Sequence, residues 1–158
     1  MQSDYPLVQT DANFDEMNWH DCPIYAMFID YRSADFVIDA DYIYEWLRPS
    51  QQGKPFSYLI APVTLVFHSA VKVQVDLESS FMPLRIAEVT REDRSFIGNT
   101  SLQDYRWIVQ GHHGSIHLRA VSYTQYRRQQ VIQTEHQGLS LEQRHDISFF
   151  RGFGLTDL

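Results

Sequence analysis

A single cysteine, Cys22, stands in the 158 residues. With no second thiol to meet, it excludes a disulfide-framed secreted fold and favours a reducing compartment. Long apolar runs are missing too: no stretch supplies the ~20 apolar residues of a membrane span. The start, "MQSDYPLVQTDANFDEMNWHD", lacks the basic residues and apolar core of a targeting segment. The expectation is a soluble, cytoplasmic chain with no membrane contact. Positive charge is scarce, 13 Lys plus Arg against 20 Asp plus Glu, for a net charge of −7. That balance repels a phosphate backbone, so nucleic acid is not an expected partner and a basic protein is. Glycine-rich phosphate loops, a GxSxG elbow, a dinucleotide fingerprint and paired CxxC motifs are all absent, and no cofactor is expected.

What is present is apolar and aromatic. Forty-four per cent hydrophobic residues, with ten Phe, nine Tyr and three Trp, suit pleated sheets more than helix bundles. "FVIDADYIYEW", 36–46, alternates strictly, with Phe36, Ile38, Ala40, Tyr42, Tyr44 and Trp46 on one face and Val37, Asp39, Asp41, Ile43 and Glu45 on the other. It reads as the returning strand of a hairpin with "CPIYAMFID", 22–30. "FSYLIAPVTLVFH", 56–68, is apolar on both faces, with Pro62 demanding an edge or a bulge. "VKVQVDLE" predicts a strand with Val71, Val73, Val75 and Leu77 inward, and "LRIAEVT", 84–90, a weaker one followed by a polar connection. "YRWIVQGHHGSIHLRAVSYTQY" predicts a second hairpin turning at GHHG, with Tyr105, Trp107 and Val109 facing Ile116, Leu118 and Ala120. Asn13 to Glu16 and Ser140 to Gln143 have capping-box spacing for short helices, and "ISFFRGFGL" reads as an edge strand or an ordered tail. One β-rich domain over 1–158 is expected, mainly β and α+β at most: an antiparallel sandwich or partly open barrel with one or two short helices, residues 1–12 forming a loose arm.

Five constellations could carry chemistry or binding. Asp39, Asp41 and Glu45 share a strand face, successive positions lying ~7 Å apart. That spacing would suit an acid and base pair, but acidic outer faces are ordinary in antiparallel sheets, and the expectation is that these carboxylates are solvated. "NWHDCP", 18–23, sets His20, Asp21 and Cys22 in succession before a strand. His20 with Asp21 is a catalytic candidate, while Cys22 reads as a small buried residue. His113 and His117 are weak metal candidates, because the turn puts them out of register. Arg119, Arg127, Arg128 and Arg144, with Tyr123 and Tyr126 between, read as an anion-binding patch or as charges guarding an edge strand. Tyr42, Tyr44, Trp46 and Trp107 could wall a ligand site, though core packing explains such rings equally well.

The order "NWHDCPIY", "FVIDADYIYEW", "APVTLVFHSAVKVQVDLE", "SYTQYRR" resembles a group of small bacterial proteins sharing a WHD opening and a D-x-D-Y-I-x-E-W strand. The resemblance covers about residues 18 to 128 and brings no catalytic assignments. Small acidic proteins of this kind are similar to immunity proteins, which neutralise a partner toxin. The function expected is therefore non-enzymatic: an acidic interaction protein whose Asp39, Asp41 and Glu45 engage a basic partner, with Arg119 and Arg127 as further binding residues towards an anion or an acidic surface, and which could pair with a second copy through an edge strand. The alternatives are a small hydrolase using Asp39 with Asp41, or His20 with Asp21, and a ligand-binding barrel or sandwich.

Overall fold

A computed structural model describes residues 5–78 and 83–154. Ten antiparallel strands dominate: β1 Val8–Thr10, β2 Pro23–Asp30, β3 Asp35–Leu47, β4 Ser57–His68, β5 Val71–Leu77, β6 Leu84–Phe96, β7 Gln103–Gly111, β8 Gly114–Ala120, β9 Ser122–Arg127 and β10 Ile132–Thr134. A 3₁₀ helix covers Asp11–Glu16, and one α-helical turn, α1, covers Leu141–Arg144. The strands form one open sheet in the order β1-β9-β4-β3-β2-β6-β7-β8-β5, with β10 also paired to β4. The mainly β expectation holds.

Both predicted hairpins form because their side-chain period fixes the register. Asp30 pairs with Asp35 across the first turn. In the second, Tyr105 pairs with Ala120, Trp107 with Leu118 and Val109 with Ile116 around the tip His112 and His113. Gly114 is required there: its φ is +152°, and an added Cβ would lie 2.4 Å from Asp76 O.

β4 runs almost directly into β5, and β8 into β9, with Val121 N–H donating to His68 O at 3.0 Å where both strands turn the same corner. The bend folds the sheet over itself. Trp107 on β7 meets Phe67 on β4 at 5.4 Å and Tyr123 on β9 at 5.5 Å between ring centroids. At the other junction β2 touches β6 through only Pro23↔Arg85 and Ile24↔Leu84, supported by Asp21 N–H donating to Ile86 O and Ile86 N–H to Cys22 O.

Pro62 sits inside a central strand yet obeys the rule that excludes it. β10 leaves β4 at Ile60 and β9 joins at Val63, so Pro62 falls in the gap between them, where its carbonyl accepts from Arg128 N–H at 2.9 Å and no ladder donor is needed.

Several expectations are corrected. Residues 8–10 of the predicted loose arm are a strand paired to β9, and residues 1–4 lie outside the described residues. The first capping box is closed by Thr10 and Asn13, not by Asn13 and Glu16. β6 extends to Phe96, through much of the predicted polar connection. In β5, Val71, Val75 and Leu77 are about half exposed, because Lys72 at φ 52° makes a bulge that breaks the alternation, and among the described residues β5 has no neighbour beyond it. Residues 147–154 form no strand but an ordered segment lying on the sheet; Leu155 lies outside the described residues.

Candidate functional site

The outer face of β3 carries Asp35, Val37, Asp39 and Asp41, and the segment after β10 covers it. Asp39 and Asp41 are 0% exposed, which overturns the expectation of a wet acidic face. Arg144, carried in by α1, donates Nη2 to Asp39 Oδ1 at 2.6 Å, Nη1 to Asp39 Oδ2 at 3.0 Å and Nε to Asp41 Oδ1 at 2.8 Å. Its remaining N–H groups reach Asp146 O and Ala40 O, and its guanidinium lies 3.9 Å above the Tyr25 ring. Arg128 Nη2 adds a bond to Asp39 Oδ1 at 2.5 Å, and Ser148 N–H one to Oδ2. Asp41 Oδ2 accepts from Leu139 N–H at 2.7 Å and from the Tyr25 hydroxyl at 2.9 Å. Burial alone would lower the pKa of Arg144, but the two carboxylates hold it above its ordinary value.

The cluster joins two carboxylates to two guanidiniums with no exposed oxygen. It can hold the strand in place; it cannot hand a proton to a substrate or meet a partner. Glu45 is elsewhere: a bulge at Tyr44 breaks the alternation, and the exposed carboxylate accepts from the Tyr5 hydroxyl at 2.8 Å. Arg119 is not free either, binding Asp104 Oδ1 through Nε at 3.0 Å and Nη2 at 2.7 Å. Asp39, Asp41, Glu45, Arg119 and Arg127 therefore do not make one surface.

At the β2–β6 junction the structure adds to His20 and Asp21 a residue that sequence spacing missed, His112 from the second hairpin tip. Asp21 Oδ1 lies 3.0 Å from His112 Nε2, while Oδ2 accepts from Gln137 Nε2 at 3.0 Å and stands 3.6 Å from His20 Nε2. His20 stacks on Trp46 and its Nδ1 reaches Ala87 O at 3.2 Å. The positive φ of Asp21, 63°, turns the chain so that His20 faces solvent and Cys22 faces the core. Burial pushes the Cys22 thiol up to about 12, so it is no nucleophile. His113 is exposed at the tip and His117 lies on β8 opposite Gln74 and Ile108. Among the described residues no three His, Cys, Asp or Glu side chains gather to hold a metal.

A third group crosses three adjacent strands. With its proton on Nδ1, His68 donates to Asp35 Oδ1 at 3.3 Å and accepts from the Thr124 hydroxyl at Nε2, 2.8 Å away. Arg151 Nη1 donates to Asp35 Oδ2 at 2.9 Å. Burial would raise the pKa of Asp35, but hydrogen bonds from Ser33 and Arg151, with the charge of Arg151 and the neighbouring His68, bring it below the ordinary carboxylate range. This is the order of a nucleophile, a base and an orienting acid. Thr124 lies in the ladder opposite Val66 and Thr10, so the ladder engages the backbone around it.

The predicted aromatic wall divides. Trp107 and Tyr42 are core, whereas Trp46 stands at the surface against Tyr58 and Phe56. The outer face of β6–β7–β8–β5, by contrast, is polar. Glu88, Gln110, Ser115 and Asp76 pair successively across it in one row, and Thr90, Ile108, His117 and Gln74 in the next. Glu78 continues the acidic end of β5. Two grooves of about 650 and 560 Å³ flank β10; the smaller is lined by Tyr25, Arg85, His136 and Gln143. Among the described residues no helix is long and apolar enough to cross a membrane. Compared with family models, curated proteins and solved structures, the chain matches none.

Proposed function

We propose that the protein is a non-enzymatic, acidic interaction protein, of immunity type, that docks a basic partner through the outer face of β6–β7–β8–β5. The supporting observation is the in-register row that ends in Glu88 and Asp76, with Glu78 beside it, on a sheet face that is open where the face of β3 is covered. Paired residues on neighbouring antiparallel strands point the same way, so these carboxylates lie on one face, Glu88 at one end of the row and Asp76 with Glu78 at the other. Fixed negative charge of this kind speeds encounter with a basic surface and weakens with salt. The test is the association rate of a recovered complex across a salt series, with Asp76→Lys and Glu88→Lys combined as the variant. Association should slow with salt and slow about tenfold or more in the variant; equal rates in low and high salt sink the reading.

A second reading, a small hydrolase, is favoured by Asp35, His68 and Thr124 and moves that activity away from Asp39, Asp41, His20 and Asp21. Thr124 Oγ1 would attack the carbonyl of an activated ester as His68 Nε2 took its proton and Asp35 steadied the imidazolium. The ester C–O bond would break to release the phenolate, and water, deprotonated by His68, would then hydrolyse the acyl-Thr124 to the free acid and the hydroxyl. Turnover of p-nitrophenyl acetate should vanish in Thr124→Val and His68→Asn and persist in Thr124→Ser. Unchanged turnover in the first two discards it.

A further inference from the structure

Three arginines are withdrawn from solvent, and two of them, Arg128 and Arg144, are held by Asp39. The third, Arg127, is 7% exposed. It ends β9 opposite Val63, on the face shared by Tyr123 and Gln125, which look into the core. Its backbone N–H donates to Leu7 O, its Nε is buried without a partner, and the Phe153 ring stands 5.3 Å from the guanidinium carbon. Among the described residues no carboxylate reaches it.

A second unpartnered group belongs to the same end of the sheet. The Tyr44 hydroxyl is buried with no hydrogen-bond partner. Tyr5 and Leu7, two residues apart just before β1, tie the two groups to one end of the sheet, Leu7 O accepting from Arg127 N–H at 2.9 Å and the Tyr5 ring packing on Tyr44 at 4.8 Å. Burial drives the Tyr44 pKa up, and the positive charge of Arg127 opposes the rise. A guanidinium that is mostly buried, with its Nε unpartnered and no counter-charge, is unfavourable even where its terminal nitrogens touch solvent, and one aromatic face recovers only part of the loss. A buried phenol with nothing to bond adds to it. What both groups lack is one acceptor carrying negative charge and more than one oxygen.

We infer that Arg127 and Tyr44 form an oxyanion-binding site, taking a phosphate or carboxylate group that meets the guanidinium fork and accepts from the phenol. The fork donates two parallel N–H bonds to such a group, which a water molecule cannot match in geometry or charge. The rest of the ligand would lie against the rings of Phe153 and Tyr5. This site is independent of the proposed docking face.

Thermal unfolding of the full chain tests it, with sodium phosphate and sodium acetate titrated against sodium chloride at matched ionic strength. Wild type should show a saturable rise in Tm with phosphate, acetate or both, but not with chloride. At a hundredfold excess over Kd the folding equilibrium moves about 100-fold. A rise with phosphate alone assigns a phosphate ligand, and one with acetate alone a carboxylate. Arg127→Met should abolish the response and melt no lower than wild type in chloride, because it removes an uncompensated buried charge. Tyr44→Phe should keep its Tm in chloride and weaken the response. The proposal is overturned by an equal rise in chloride, by no rise in wild type, by a response that survives Arg127→Met, or by an Arg127→Met chain that is destabilised or fails to fold. An unaltered response in Tyr44→Phe also counts against it.

Discussion

Arg144 grips Asp39 with both terminal nitrogens, at 2.6 and 3.0 Å, and neither side chain touches solvent. Removing one partner of such a pair leaves the other charged and dry. Asp39→Asn or Arg144→Met should each cost about 3–5 kcal/mol. Urea unfolding checks this as a lower midpoint at unchanged slope. The loss should be the same in 0.05 M and 0.5 M salt, since buried pairs are screened little.

Asp104 is a pH-dependent contributor. Hydrogen bonds from Arg119, aided by that residue's charge, hold its carboxyl below the usual range against the opposing effect of burial. A lowered folded pKa gives stability that is fully present above the unfolded value of about 3.9 and is lost as pH falls through the folded one. The stability gap between wild type and Asp104→Asn should be constant from neutral pH down to about pH 5 and close below pH 4.

Cys22 reports opening of the core. Its Sγ accepts from Ile43 N–H at 3.4 Å, and burial holds the thiol to about 12. A thiol reagent should label it only as fast as the chain unfolds, with no native reaction at pH 9. Because the folded pKa is raised, the thiol contributes stability below its unfolded pKa of about 8.5 that declines as pH rises towards 12. Rapid native labelling would contradict the packing.

The two ends of the β6–β7 hairpin should differ in cost. Trp107 is fully buried among Phe14, Phe67, Tyr105 and Tyr123, whereas Phe96 and Leu102 near the hairpin tip are 64% and 57% exposed. Trp107→Ala should cost about 3–5 kcal/mol. Phe96→Ser with Leu102→Ser should stay within about 0.5 kcal/mol. Thermal denaturation separates the two.

The second hairpin was legible in the sequence because period-two alternation and a two-residue tip leave one register. The burial of Asp39 and Asp41 was not, because the residues that cover and neutralise them come from the far end of the chain. One signal was there: Val37 and Ile43 stand among the carboxylates, so that face of β3 was never polar throughout. A strand apolar on both sides is covered on both sides, and acids within it call for arginines. β5 misled for a local reason, since no pattern of valines announces a left-handed Lys72. His68 with Asp35 and Thr124 escaped because three strands from distant segments bring them together.

Arg128 and Arg144 follow Asp39 by 89 and 105 positions. On a ribosome, β2, β3 and β4 emerge well before either counter-ion has been made, and domains complete only when their last packing segment arrives. Until then β3 must present two bare carboxylates among the valine and isoleucine side chains of an uncovered face. A chain cut before 128 lacks both guanidiniums and leaves Asp39 without a counter-charge, and one cut between 128 and 144 has only Arg128 to hold it, so the face closes fully only when the C-terminal segment lies over it.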